Sequence, residues 1–171
     1  MAVTTEYIRN VALASHGGAG KTTLSESALK ISGVISRQGS TEDGSPVSDF
    51  EPEETERHTS TQTSVVPVPW RDHKINFLDT PGYADFRGEA MSGLRVADAV
   101  ILVVSAPAGV EVGTTQMWDL LEGAKTPRIV YVNKMDRENA NFGRVMESIV
   151  SAFGRRCMAL QMPIGIESGF S

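Results

Sequence analysis

Three short stretches hold residues whose chemistry depends on where a fold places them: SHGGAGKTT at 15–23, DTPG at 79–82 and NKMD at 133–136. In the first, Gly17, Gly18 and Gly20 allow the backbone to bend until several N–H groups converge on one centre. A helix starting just beyond adds its own unpaired donors and positive dipole end, and such a nest holds a phosphate. Ser15, His16 and Ala19 complete the turn. Lys21 should reach the β- and γ-phosphates of a nucleotide, and the Thr22 hydroxyl should bind Mg²⁺, with Thr23 following on the helix. The usual pattern begins with glycine, where this chain has Ser15. A glycine-rich helix entry with a surface lysine is the plainer alternative for this loop taken alone.

An acid at the end of a strand beside a phosphate loop meets the metal, usually through a water, which is the expectation for Asp79. The Gly82 N–H can then bond the γ-phosphate, so the segment beyond moves when that phosphate leaves. The D-x-x-G pattern alone carries little, and its weight comes from its place after the phosphate loop. In NKMD, the Asp136 carboxylate can accept two hydrogen bonds from the N1–H and N2–H₂ edge of guanine. Adenine lacks that donor pair and would leave the carboxylate unsatisfied. Lys134 should lie along the base plane, and Asn133 should tie this loop to the phosphate loop. Chance would produce N-K-x-D in a chain of this length about 2% of the time at average residue usage. Finding it after GKT and DTPG, in this order, reads as a guanine-nucleotide site for GTP or GDP with Mg²⁺.

Positioning these loops requires an alternation of strands and helices. Apolar runs at Ile8 to Ala14, INFLD, AVILVVSA and RIVYV alternate with helical patterns, which predicts a mostly parallel sheet covered on both faces. Leu24, Ala28, Ile31 and Ile35 recur at helical spacing and predict one buried face. SVVPVPW and INFLD read as a hairpin. Pro67 and Pro69 cannot donate to a ladder, which puts the first of these strands at the sheet edge. Helices are expected up to about Ala97, over Val112 to Gly123 and over Phe142 to Phe153, with CMALQMPI as a last strand. The expected fold is α/β, of the P-loop NTPase kind: doubly wound, six-stranded, mostly parallel with one antiparallel edge pair. From Arg37 to about Thr63 the periodicity disappears in an acidic, polar stretch whose composition predicts mobility.

The remaining composition bounds what such a domain can do. At 171 residues, 40% hydrophobic and 22% charged, the chain has the make-up of one ordinary globular domain. Its net charge of −5 and lack of a Lys/Arg cluster give no support for direct nucleic-acid binding. No apolar run approaches the roughly 18 residues of a membrane span, and no secretory signal is visible. Cys157 is the only cysteine, which leaves no intramolecular disulfide, and it is expected to be buried and inert. These features suggest a monomer in the cytoplasm.

SHGGAGKTTLSESAL, DFEPEETER, DTPGYADF, VNKMDRENANFGRV and QMPIGIESGF together resemble the G domain of elongation factor G, and most of all its divergent, type 2 paralogues. The resemblance runs from about Arg9 to Phe170. It implies a translational GTPase that partners the ribosome through later domains of a full-length parent. Residues 37–63 then correspond to switch I and about 79–97 to switch II. Since relatives begin an insertion near PIGIESGF, the chain is expected to be a truncated G domain, lacking the insertion, the last guanine loop and the final helix. Neither Ser105-Ala106 nor Ser151-Ala152 lies where the serine-alanine guanine loop belongs.

The chain departs from the family pattern at the site itself. Relatives read AHIDAGKT, so Gly18 replaces an acid tied to a monovalent cation, while His16 matches. Where relatives carry RGITI, this chain has RHTST in register, placing Ser60 at the threonine that closes on Mg²⁺ and the γ-phosphate. A register slip would bring in Thr59 or Thr61 instead. DTPGH becomes DTPGY. Tyrosine, with a reference pKa of ~10, is a far poorer base than the histidine that orients the attacking water. Tyr83 either hydrogen-bonds that water or packs its ring over the cleft. Two functions follow as expectations: GTP hydrolysis with Lys21 and Tyr83 at the reacting phosphate, or a slowly hydrolysing switch that acts by occupying a ribosomal site.

Overall fold

The computed structural model describes residues 4–41, 43–48 and 51–170. Five strands form one sheet: β1 (Ile8–Ala14), β2 (Ser64–Trp70), β3 (His73–Asp79), β4 (Ala99–Ser105) and β5 (Arg128–Asn133), in the spatial order β2-β3-β1-β4-β5. The strands β3, β1, β4 and β5 run parallel, and β2 joins the edge antiparallel to β3. The edge place of β2 agrees with its two prolines, whose missing N–H groups would break a central ladder.

Helices lie on both faces. Phe77 and Leu78 are adjacent on β3 and so point to opposite sides. Phe77 packs with Leu29 of α1 (Lys21–Ile31), Val66 and Val68. Leu78 belongs to the larger core, with Leu94 of α3 (Arg87–Arg95), Met117 and Leu121 of α4 (Val112–Ala124), and Val145, Ile149 and Phe153 of α5 (Phe142–Phe153). Burying a side chain of that size stabilises by about 1.5–3 kcal/mol, and this core aligns the four parallel strands. Their carboxyl ends meet at one rim, with Leu13 beside Asp79, Ala14 beside Leu102 and Ser105 beside Asn133. Open α/β sheets bind ligands at that rim.

Three expectations need correction. The sheet has five strands where six were expected, because CMALQMPI stays outside it. Met158, Leu160, Met162 and Ile164 are 74–83% exposed, so the burial that would drive this segment into a ladder is missing. The buried face of α1 is Thr22, Ser25, Glu26 and Leu29, with Ile31 72% exposed. Polar contacts to the site, described below, set that rotation against the apolar pattern. Finally, the 37–63 stretch contains a regular element, α2 (Pro52–Arg57), begun by a proline at its first turn. Cys157 is half-buried against the main core.

Candidate functional site

The phosphate loop links β1 to α1. Gly18 and Gly20 have φ of 76° and 97°, left-handed conformations that cost L-residues about 1–2 kcal/mol. Gly20 caps α1, and a side chain there would also collide with the Asn133 amide. Lys21 is buried, its Nζ donating to Ser15 Oγ at 2.9 Å and to the His16 carbonyl at 3.4 Å. The Ser15 hydroxyl in turn donates to the His16 carbonyl at 2.6 Å. The residue that breaks the usual pattern therefore holds the lysine across the loop.

His16 is buried at the base of this loop. Its Nδ1 lies 3.0 Å from Thr114 Oγ1 and its Nε2 2.7 Å from Glu111 Oε2. A neutral imidazole satisfies both contacts, with Nε2–H donating to the carboxylate and the threonine hydroxyl donating to Nδ1. Burial holds its pKa below the ordinary value. Glu111 pulls it up, and Lys21 and Lys134 push it further down. Gly113 permits the close approach of α4, since a Cβ there would stand 3.2 Å from His16 Cβ. His16, Glu111 and Thr114 thus join the phosphate loop to α4.

At the end of β3, Asp79 is 1% exposed and Ser25 Oγ stands 3.5 Å from its Oδ2. Thr80 donates to the Leu13 carbonyl at 2.7 Å, which pins the DTPG turn to β1. Gly82 then lies directly on the phosphate loop, where a Cβ would come within 2.7 Å of the His16 carbonyl and 2.8 Å of the Gly17 nitrogen. Tyr83 follows, half exposed, with its ring against Gly17.

The segment before β2 reaches back to α1. Buried Glu26 accepts the Gly39 and Val47 N–H groups at 2.7 and 2.6 Å. Buried Glu54 accepts from the Thr61 and Gln62 N–H groups at 2.8 and 3.1 Å, and from the Thr61 hydroxyl at 3.2 Å. Those bonds fix the backbone just after Ser60, whose Oγ lies 3.4 Å from Thr22 Oγ1. These two hydroxyls, with buried Asp79 at the end of β3, are oxygen donors of the kind that hard Mg²⁺ takes.

The NKMD loop meets the phosphate loop from the other side. Asn133 Nδ2 donates to the Ala19 carbonyl at 2.9 Å, and Lys134 Nζ donates to the Gly18 carbonyl at 2.6 Å. Met135 is buried with Ala106 and Ala140, which anchors the loop and leaves Asp136 exposed. A cleft of about 520 Å³ opens between these parts, lined by residues that include Gly17, Gly20, Lys21, Thr22, Ser60 and Lys134. Asp136 is not part of that lining. A larger cavity of about 790 Å³ lies between β5, α5 and the stretch 157–163, away from the phosphate loop.

Sequence reasoning missed Ser25, Glu26, Glu54, Glu111 and Thr114. Acids within polar stretches read as solvated, and only the fold shows what they accept. Glu54 had a partial signal in the EPEETER phrase, where a proline opens a helix.

Comparison with known proteins places this geometry. The model of the elongation factor Tu GTP binding domain matches residues 6–169. The mitochondrial ribosome-releasing factor 2 of Candida dubliniensis is 40% identical over 155 residues, covering 91% of this chain and 19% of that protein. Elongation factor G 2 of Borreliella afzelii is 39% identical over 163 residues, covering 95% and 24%. A crystal structure from Thermus thermophilus superposes with a TM-score of 0.90 at 38% identity, covering 96% of this chain and 24% of the other. The chain therefore spans about a fifth to a quarter of the length of these relatives.

Proposed function

The chain belongs to the elongation factor Tu GTP-binding domain family, and from that premise we propose that it binds GTP with Mg²⁺ and hydrolyses it in step with a ribosomal event. The observation that supports this most is the pair of bonds from Asn133 and Lys134 to the Ala19 and Gly18 carbonyls. They hold the NKMD loop directly against the glycine-rich loop, so that one nucleotide would touch both.

In this reading, loop amides and Lys21 hold the phosphates and stabilise charge on the γ-phosphate. Ser15, His16, Gly17, Gly18, Ala19, Gly20 and Thr23 shape that nest. Lys21 leaves Ser15 for the phosphate when nucleotide enters. Thr22 and Ser60 would hold Mg²⁺, with Asp79 behind them through water, and the ion would neutralise phosphate oxygens. The Gly82 N–H reports the γ-phosphate. Tyr83 orients the attacking water, and Asp136 reads the base edge. The protein works as a cytoplasmic monomer, and ribosome contact belongs to the full-length parent.

A second reading has one observation in its favour. Tyr83 stands where the elongation factor G pattern that this chain resembles has histidine, which suits a switch that hydrolyses slowly and acts by occupying a ribosomal site. Single-turnover GTP hydrolysis with and without ribosomes separates the two. Stimulation by ribosomes supports the first reading. Tight GTP binding without stimulation supports the second, and no binding at all sinks both.

A further inference from the structure

Glycine at position 17 is not required by its backbone. Gly18 and Gly20 lie in the left-handed region, whereas Gly17 lies outside it, in conformations open to L-residues. What forbids a side chain there is Tyr83. A Cβ on residue 17 would stand 2.8 Å from both Cε2 and Cζ of the ring, and 3.1 Å from Cδ2. Carbon atoms pack at about 3.5–4.0 Å, so even one methyl group collides with the ring. Cζ carries the hydroxyl, so the contact falls at the reactive end of the side chain. The backbone beneath is equally close, with Gly82 against the His16 carbonyl and the Gly17 nitrogen. Residues 82 and 83 therefore sit on the phosphate loop as one unit. Tyr83 is 50% exposed. An intruding methyl group has an easy outlet, since the ring can swing into solvent while the fold stays intact.

We propose that Gly17 is a positioning residue for hydrolysis: its bare Cα seats the Tyr83 ring and so fixes the tyrosine hydroxyl on the wall of the phosphate cleft. This rests on the reading of the cleft as a GTP site. The seat removes the main handicap of tyrosine as a water-orienting group, which is the freedom of a long, half-exposed side chain. It also makes the glycine at 17 and the tyrosine at 83 a single departure from AHIDAGKT and DTPGH, since an isoleucine at 17 and this ring position exclude each other. Lys21 and the loop amides act on the phosphates whether or not the ring is seated. Losing the seat should therefore lower the rate even at saturating nucleotide, where the phosphates are already held.

The protein holds three tyrosines, so incorporation of 3-fluorotyrosine yields three fluorine signals, and Tyr83→Phe identifies the one from position 83. Gly17→Ala should shift that signal and leave those of Tyr7 and Tyr131 in place. In single-turnover hydrolysis with Mg²⁺ at saturating GTP, Gly17→Ala should slow the chemical step about tenfold or more. Tyr83→Phe should also slow it, and the double variant should be no slower than Tyr83→Phe alone. If Gly17→Ala lowers the melting temperature, adding Tyr83→Ala should restore it, and a melting temperature that stays low overturns the seat. An unmoved Tyr83 signal overturns the contact. An unchanged rate in an active protein, or losses that multiply in the double variant, overturns the positioning role while leaving the GTP site intact. A protein that hydrolyses no GTP sinks the proposed function and the positioning role together, although the fluorine shift still reads the contact.

Discussion

The hydroxyls of Thr22 and Ser60 lie 3.4 Å apart, although 38 positions separate them in the chain. One opens the helix after the phosphate loop, and the other ends a stretch whose composition gave no sign of order. Their approach favours Ser60, ahead of Thr59 and Thr61, as the hydroxyl that would share a metal with Thr22. Thr61 spends its own hydroxyl and N–H on Glu54, and Thr59 donates to the Arg57 carbonyl. Ser60→Ala should weaken a non-hydrolysable GTP analogue by about one to two decades, the cost of losing a bond to a charged partner. GDP affinity should stay near wild type, and Ser60→Thr should retain GTP-analogue binding. Titrating the analogue at several Mg²⁺ concentrations reads the effect, and equal loss for GDP and the analogue would remove Ser60 from the metal.

Glu54 should act through Ser60. Its carboxylate fixes the backbone one residue beyond, so Glu54→Ala should weaken the GTP analogue with GDP little changed. Combined with Ser60→Ala, the loss should fall short of the sum of the two, because both changes remove one interaction. Calorimetric titration of the four proteins measures the coupling. Full additivity would assign Glu54 to stability alone.

Gly20 is the loop position least able to carry a side chain. It combines φ of 97° with contact against the Asn133 amide. Gly20→Ala should cost about 1–2 kcal/mol in backbone conformation alone, which is roughly 2–8 °C of melting temperature for a domain of this size. Displacing Asn133 should also cut the link to the guanine loop, so GDP binding should fall with it. A thermal scan with and without GDP decides. An alanine variant that melts and responds to GDP like wild type contradicts this geometry.

The pH dependence of stability should carry a mark of His16. Its pKa is lowered in the folded protein, first by burial and then by Lys21 and Lys134, against the pull of Glu111. A histidine neutral in the fold contributes stability that is full above its unfolded value near 6.5. That contribution fades as pH falls from there through the lowered value, because the unfolded chain takes the proton first. His16→Gln should therefore be less stable than wild type at pH 7.5, with the gap narrowing toward pH 5. Urea unfolding at both pH values tests the sign, and a gap that widens in acid means that the pair is charged in the fold.

Much of this architecture was legible because the signals were local. NKMD after a strand and GKT opening a helix have few other uses, and Phe142 to Phe153 shows its helical period plainly. The apolar face assigned to α1 through Ile31 failed for a physical reason. Ser25 and Glu26 turn inward to serve Asp79 and the backbone at Gly39 and Val47, and those polar contacts outweigh the burial of one isoleucine. CMALQMPI has the alternation of a strand, but alternation does not say whether anything covers the apolar face. The order within 37–63 was invisible because it rests on two buried carboxylates, Glu26 and Glu54, whose partners are backbone amides that no sequence pattern marks.

The central claim is that this cleft holds a guanine nucleotide, and competition between GDP and ADP for the purified protein tests it most directly. Asp136 can accept two bonds from guanine and has no such partner on adenine, so GDP should bind more tightly than ADP. Asp136→Ala should erase about one to two decades of that preference, equivalent to the ~1.5–3 kcal/mol of a bond to a charged group. Equal affinity for GDP and ADP in the wild-type protein, or a preference that survives Asp136→Ala, would contradict the account.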